Sequence, residues 1–123
     1  NYFSIMLTHL EIKTAATNTG IKIFTFDGEL DETNVDNTFP SIIENIGDFN
    51  GAKTLFNLEK LKYLNSKSIG YIADIAQRTE DGNGKFALCN LTPEVNDTLD
   101  LVGITSILPV FNSQETALIE LSK

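Results

Sequence analysis

Apolar residues in this chain switch repeatedly between a two-residue and a helical period, and that switching restricts the fold more than any single residue does. Thr8 to Lys13 alternates, with Leu10 and Ile12 on one face, as a half-buried strand does. Ile21 to Phe26 is a second β-rich run. A polar turn over Ala15 to Gly20 separates the two, so they are expected to pair as a hairpin. From Thr33 to Ile46 the period lengthens: Val35, Phe39, Ile42, Ile43 and Ile46 mark an amphipathic helix. Glu32 or Thr33 is expected to cap it, and Pro40 either kinks it or marks its true start. Thr54 to Leu58 is short and apolar, like a strand buried on both faces, and Lys60 to Tyr63 reads as its connection to the next helix. That helix carries Ile69, Ile72, Ala73, Ile75 and Ala76 and stops at Glu80 to Gly84. Phe86 to Leu91 is another buried strand. Pro93 to Leu101 is a short helix with Thr92 as N-cap and Pro93 in the first helical position. Ile107 to Phe111 is a final strand, and Ser113 caps a last helix whose apolar side is Ala117, Leu118 and Leu121. The order β-β-α-β-α-β-α-β-α predicts an α/β domain. Its sheet is mixed and mostly parallel, of four to five strands, with about four helices and a β-hairpin at the N-terminal edge.

At 123 residues the chain fits one domain with a core that needs no staples. Residues 7–123 are read as that domain and residues 1–6 as a remnant or extension before it. Met6 reads either as a natural start or as an internal residue of a longer protein, and the sequence leaves both open. The first residues lack the basic segment and cleavage site of a signal peptide, and no apolar run approaches the roughly 18–20 residues of a membrane-spanning helix. Cys89 is the only cysteine, which rules out an internal disulfide and points to a cytoplasmic protein. The net charge of −8 works against nucleic acid and anionic membranes and suits a basic or locally basic protein partner.

Catalytic constellations are missing from the pattern. His9 is the only histidine, on the edge hairpin, and is expected to be an ordinary surface or half-buried strand residue. No Gly-x-Ser-x-Gly elbow occurs, so no serine has an evident base, and the chain is not expected to be an enzyme. The acidic run Asp27, Glu29, Asp31, Glu32 and Asp36 lacks calcium-loop spacing and reads as a solvated loop with an acidic helix start. Asp81 to Gly84 is a turn and no phosphate loop, and Cys89 reads as an inert core thiol. No metal or cofactor is expected.

Tyr63-Leu64-Asn65-Ser66-Lys67-Ser68-Ile69-Gly70 resembles the signature of the STAS domain family, in which a strand and short loop lead to Asp-Ser-Ser-Gly-Leu-Gly at a helix start. Gly28 to Asp31, Leu55 to Leu58, Leu99 to Ile104 and Phe111 to Leu118 resemble further family segments in the family's order. The resemblance implies a STAS fold and an anti-sigma factor antagonist. Such a module binds a serine-kinase anti-sigma factor of histidine-kinase-like ATPase fold, which phosphorylates one serine at the start of the second helix and so ends the binding. Position by position that serine is Ser66. Asn65 stands where the family has Asp, Lys67 where it has a second Ser, Ser68 where it has the first Gly, and Gly70 keeps the second Gly. The implied partner surface is Asn65, Ser66, Lys67 and Ser68, flanked by Asp27, Glu29 and Asp31, with ATP brought by the kinase. Other members, such as cytosolic domains of sulfate permeases and stressosome-like scaffolds, imply an alternative: an assembly module of a larger protein, without a phosphoswitch.

The chemistry suits Ser66. A helix start leaves N–H groups unpaired and is electropositive, so a phosphate there is tolerated by its own fold while adding roughly −1.5 to −2 charge to the surface. Lys67 either screens that charge or contacts acidic groups of the partner. The competing reading is plain capping, for which Asn65, Ser66 and Ser68 all qualify. Local sequence alone favours capping, and the resemblance tips the balance to the switch. Leu64, Ile69, Ile72 and Ile75 are expected in the core.

Overall fold

The computed structural model describes residues 2–123, with side chains from Ser4 onward. In chain order its elements are β1 (Tyr2–Leu7), β2 (Leu10–Ala16), β3 (Ile21–Leu30), α1 (Val35–Ile46), β4 (Lys53–Leu64), α2 (Ser66–Asp81), β5 (Lys85–Cys89), α3 (Pro93–Leu101), a 3-10 turn over Ile104–Ser106, β6 (Val110–Phe111) and α4 (Gln114–Leu121). One six-stranded sheet runs in the order β1-β2-β3-β4-β5-β6. β1, β2 and β3 pair antiparallel, and β3 to β6 pair parallel. Each parallel step needs a crossover, and α1, α2 and α3 provide them. All three pack on one face, where Phe39, Ile42, Ile72, Ile75, Val95 and Leu99 meet Phe24, Phe26, Phe56 and Leu88. Phe56 is the hub, with the rings of Phe24, Phe26 and Phe86 at 5.7, 4.9 and 4.8 Å. α4 covers Ile21, Ile23, Leu55, Ala87 and Cys89 on the opposite face.

The fold class is the one expected, with six strands where four to five were predicted. The added strand, β1, pairs with β2 through residues 2–7, of which residues 2–6 belong to the stretch expected to be a remnant or extension before the domain. Thr92 and Ser113 cap α3 and α4 as expected, accepting from Val95 N at 3.3 Å and Thr116 N at 3.1 Å. α1 starts at Val35 and runs through Pro40, so Pro40 does not mark its beginning. Neither Glu32 nor Thr33 caps it: Asn34 holds the N-cap position. Lys60 to Tyr63 is not a connection either, because β4 continues through it. Between Asn57 and Leu64 the register with β3 slips twice, each time leaving an extra residue on β4. Burial then recurs every third residue, at Leu58, Leu61 and Leu64, while Glu59, Lys60, Lys62 and Tyr63 stay exposed. The last strand shortens to Val110–Phe111 because Ile104–Ser106 forms the 3-10 turn before it. Among the described residues no helix is long and apolar enough to cross a membrane.

Candidate functional site

β3 and β4 end side by side, with Leu30 opposite Leu64, and the chain turns directly into α2. Asn65 makes the turn. Its extended backbone donates N–H to Leu30 O at 3.1 Å, tying the loop to β3. Its Oδ1 accepts from Ser68 N at 2.9 Å and from Ser68 Oγ at 2.7 Å. One side chain therefore answers two donors of the first turn. Ser68 is 0% exposed, so its expected place on a partner surface is corrected: it braces the loop from inside. Ser66, the first helical residue, is exposed, and among the described residues its hydroxyl has no hydrogen-bond partner. Capping is thus the work of Asn65 and leaves Ser66 free. α1, α3 and α4 each carry an acid in the first turn (Asp36, Glu94 and Glu115), whereas α2 carries none.

Lys67 points elsewhere. Its Nζ donates to Asp36 Oδ2 at 2.9 Å, and Tyr71 Oη donates to Asp36 Oδ1 at 3.0 Å, joining the first turn of α1 to the first two turns of α2. The Tyr71 ring stacks on Phe39 at 4.8 Å, with 7° between the planes. The Lys67 ammonium and then the Tyr71 hydroxyl hold the Asp36 carboxyl below its usual range, and Asp36 raises Lys67 and Tyr71.

The flanking acids do not act as one cluster. Asp31 accepts from Thr33 and from His9, whose Nδ1 lies 3.0 Å from Asp31 Oδ2 and must be the donor to a carboxylate. These bonds, that of Thr33 first, lower the Asp31 carboxyl. His9 is no strand residue: it sits exposed in the β1–β2 turn with φ 62°. Gly28 makes room for it, since a Cβ there, at φ +129°, would lie 2.1 Å from His9 O. Asn34 is buried and laces the same corner, donating to Thr8 O at 2.6 Å and Glu29 O at 2.8 Å. Glu29 lies opposite Tyr63, within the site's rim, while Asp27 pairs with Lys60 roughly 10 Å down the strand from Leu30. Among the described residues no group of three acids, histidines or cysteines could hold a metal.

Two exposed groups at this edge escape the sequence reading. Tyr63 is exposed because of the register slips, and Asp36 is a partner of Lys67 only through the packing of α1 on α2. Cys89 lies buried at the end of β5, and burial, with a smaller contribution from Glu59, pushes its thiol to about 11.

The family model of the STAS domain matches residues 13–117, from within β2 to the middle of α4, and so includes the whole edge where β3, β4 and α2 meet. The anti-sigma F factor antagonist of Paenibacillus polymyxa is 28% identical over 102 residues, covering 83% of this chain and 87% of that protein. Among solved structures, the anti-sigma factor antagonist SpoIIAA in its unphosphorylated form superposes with a TM-score of 0.74 at 22% identity, over 89% of this chain and 94% of that one. Its phosphorylated form, from Bacillus, gives 0.68 at 21% identity, over 89% and 97%. The murine Solute Carrier 26 family member A9 anion transporter gives 0.72 at 17% identity, over 83% of this chain and 18% of that one. With its fold, its segment order and a family model matched from residue 13 to residue 117, this chain belongs to the STAS domain family.

Proposed function

We propose that the protein is an anti-sigma factor antagonist: it binds a serine-kinase anti-sigma factor in the cytoplasm through the edge where β3, β4 and α2 meet, and phosphorylation of Ser66 ends that binding. The observation that carries this reading is the division of labour at the start of α2. Asn65 supplies the cap, so the exposed hydroxyl of Ser66 serves no bond of its own fold. A phosphate there meets the electropositive end of a helix with no acid in its first turn, and the fold tolerates it. A partner fitted to a neutral hydroxyl instead faces roughly −1.5 to −2 charge on a surface it must desolvate. Tyr63 and Lys67 stand on the rim of that surface, and Glu29 and Asp31 border it. The chain carries out no chemistry in this scheme; the kinase brings ATP. The name of the P. polymyxa relative supports the partner class. The shared fold does not by itself separate this role from an assembly module, since the transporter has it too.

The test is capture from a lysate of the source organism with wild type, Ser66→Ala and Ser66→Asp as parallel baits. A histidine-kinase-like ATPase is expected with wild type and Ser66→Ala, is lost with Ser66→Asp, and transfers phosphate from ATP to wild type but not to Ser66→Ala. If wild type and Ser66→Asp hold the same proteins, and those include a membrane or scaffold protein, the assembly role replaces the switch.

A further inference from the structure

Lys67 is the cation next to Ser66 in the chain, in a helix turn whose field opposes positive charge. Its ammonium is drawn out of that turn to Asp36, on the first turn of α1. Both carboxylate oxygens of Asp36 are engaged, one by Lys67 and one by Tyr71, and Tyr71 is itself held against Phe39. Successive helical residues point about 100° apart, so the direction that takes Lys67 to α1 takes it off Ser66. Lys67 and Asp36 are 60% and 57% exposed, so the pair contributes little to stability, and its effect is one of placement.

We infer that Asp36 is a positioning residue of the switch: by holding Lys67 it keeps the neighbouring ammonium off a phosphate on Ser66, so that Lys67 does not screen the new charge from the partner. The inference rests on Ser66 as the phosphoacceptor. In the step that installs the charge, the γ-phosphoryl of ATP bonds to Ser66 Oγ, its bond to ADP breaks, and the hydroxyl proton leaves; the partner kinase supplies the ATP. Asp36 acts afterwards, on where Lys67 can go. Released from Asp36, the four-carbon stem of Lys67 swings free, and its ammonium can settle on the phosphate.

The experiment installs phosphoserine at position 66 during translation, so that no kinase is needed. It follows the 31P resonance against pH in four backgrounds: wild type, Lys67→Met, Asp36→Asn and the double variant. A phosphomonoester loses its second proton near pH 6, and a nearby cation favours the dianion and lowers that value. With Asp36 present, Lys67→Met is expected to leave the phosphate pKa almost unchanged. With Asn at 36, the same change is expected to raise it by about half a pH unit, because a freed lysine is then being removed. Equal effects of Lys67→Met in the two backgrounds, zero included, overturn the inference. Far-ultraviolet circular dichroism of each variant checks that all four share one fold. The titration needs no partner, so its outcome is independent of the capture experiment. Identical captures with Ser66→Asp and wild type would sink the phosphoswitch alone.

Discussion

Asp36 ties α1 to α2 with a carboxyl group whose pKa is lowered by Lys67 and Tyr71, and this gives its contribution to stability a direction in pH. A carboxyl lowered on folding stabilises the protein above its unfolded value, near 3.8 here, and that contribution fades as pH falls through the folded value. Lys67 is raised, so its share is present below its ordinary value and fades only as pH climbs past the folded one. The urea midpoint of wild type is therefore expected to exceed that of Asp36→Asn by a small, constant margin from about pH 5 to pH 9, and the margin should narrow as pH falls below about 4. A margin that persists unchanged at pH 3 would show that Asp36 acts by something other than its charge. At this scale the sequence was legible where the interaction is local. Asn65 and Ser68 are three residues apart, and a cap motif can be read from such a span. Lys67 and Asp36 are 31 residues apart, and only the packing of two helices brings them together. Nothing local in the sequence joins that acid to that lysine.

Strand β4 shows the same divide among elements. Its first half, Thr54 to Leu58, was readable because a doubly buried strand is a plain apolar run. Its second half was not, since two register slips replace the alternation of a strand by burial at every third residue. The slips are what turn Tyr63 outward and still bring Leu64 inward before Asn65. Deleting Lys62 removes the second extra residue and lets Tyr63 follow Leu61 in plain alternation, so Tyr63 is expected to stay outward opposite Glu29 and Leu64 inward opposite Leu30. With that burial kept, the urea midpoint should stay close to that of wild type. Asn65 keeps its place after Leu64 and its bond to Leu30. A variant that loses about 2 kcal/mol, the burial of one leucine, would mean that the bulge itself is needed to hold Leu64 inward. The helices were read more faithfully, because Thr92-Pro93 and Ser113 announce their starts within a single turn. α1 was misread at its start because Asn34 spends its side chain on Thr8 and Glu29 and caps with its backbone position alone.

Across the molecule, the two faces of the sheet are built unequally. Three helices close one face and α4 alone closes the other, with Cys89 beneath it. A thiol raised to about 11 and sealed under that helix has almost no thiolate at pH 8 and no route to a reagent. Iodoacetamide labelling of the folded protein is therefore expected to be slow and to accelerate in step with urea unfolding. Labelling that saturates well before the global transition would place the opening in α4. The β-α alternation made the layering readable from the chain, whereas β1 lay in a stretch whose role the pattern left open. Because the spatial order of the strands is their order in the chain, each new strand leaving the ribosome finds its neighbour already made. The exception comes last: until Gln114 to Leu121 emerge, the face formed by Ile21, Ile23, Leu55 and Ala87 has no cover. A nascent chain halted just short of α4 is thus a nearly finished sheet with one greasy side in water, which is the form a chaperone would hold.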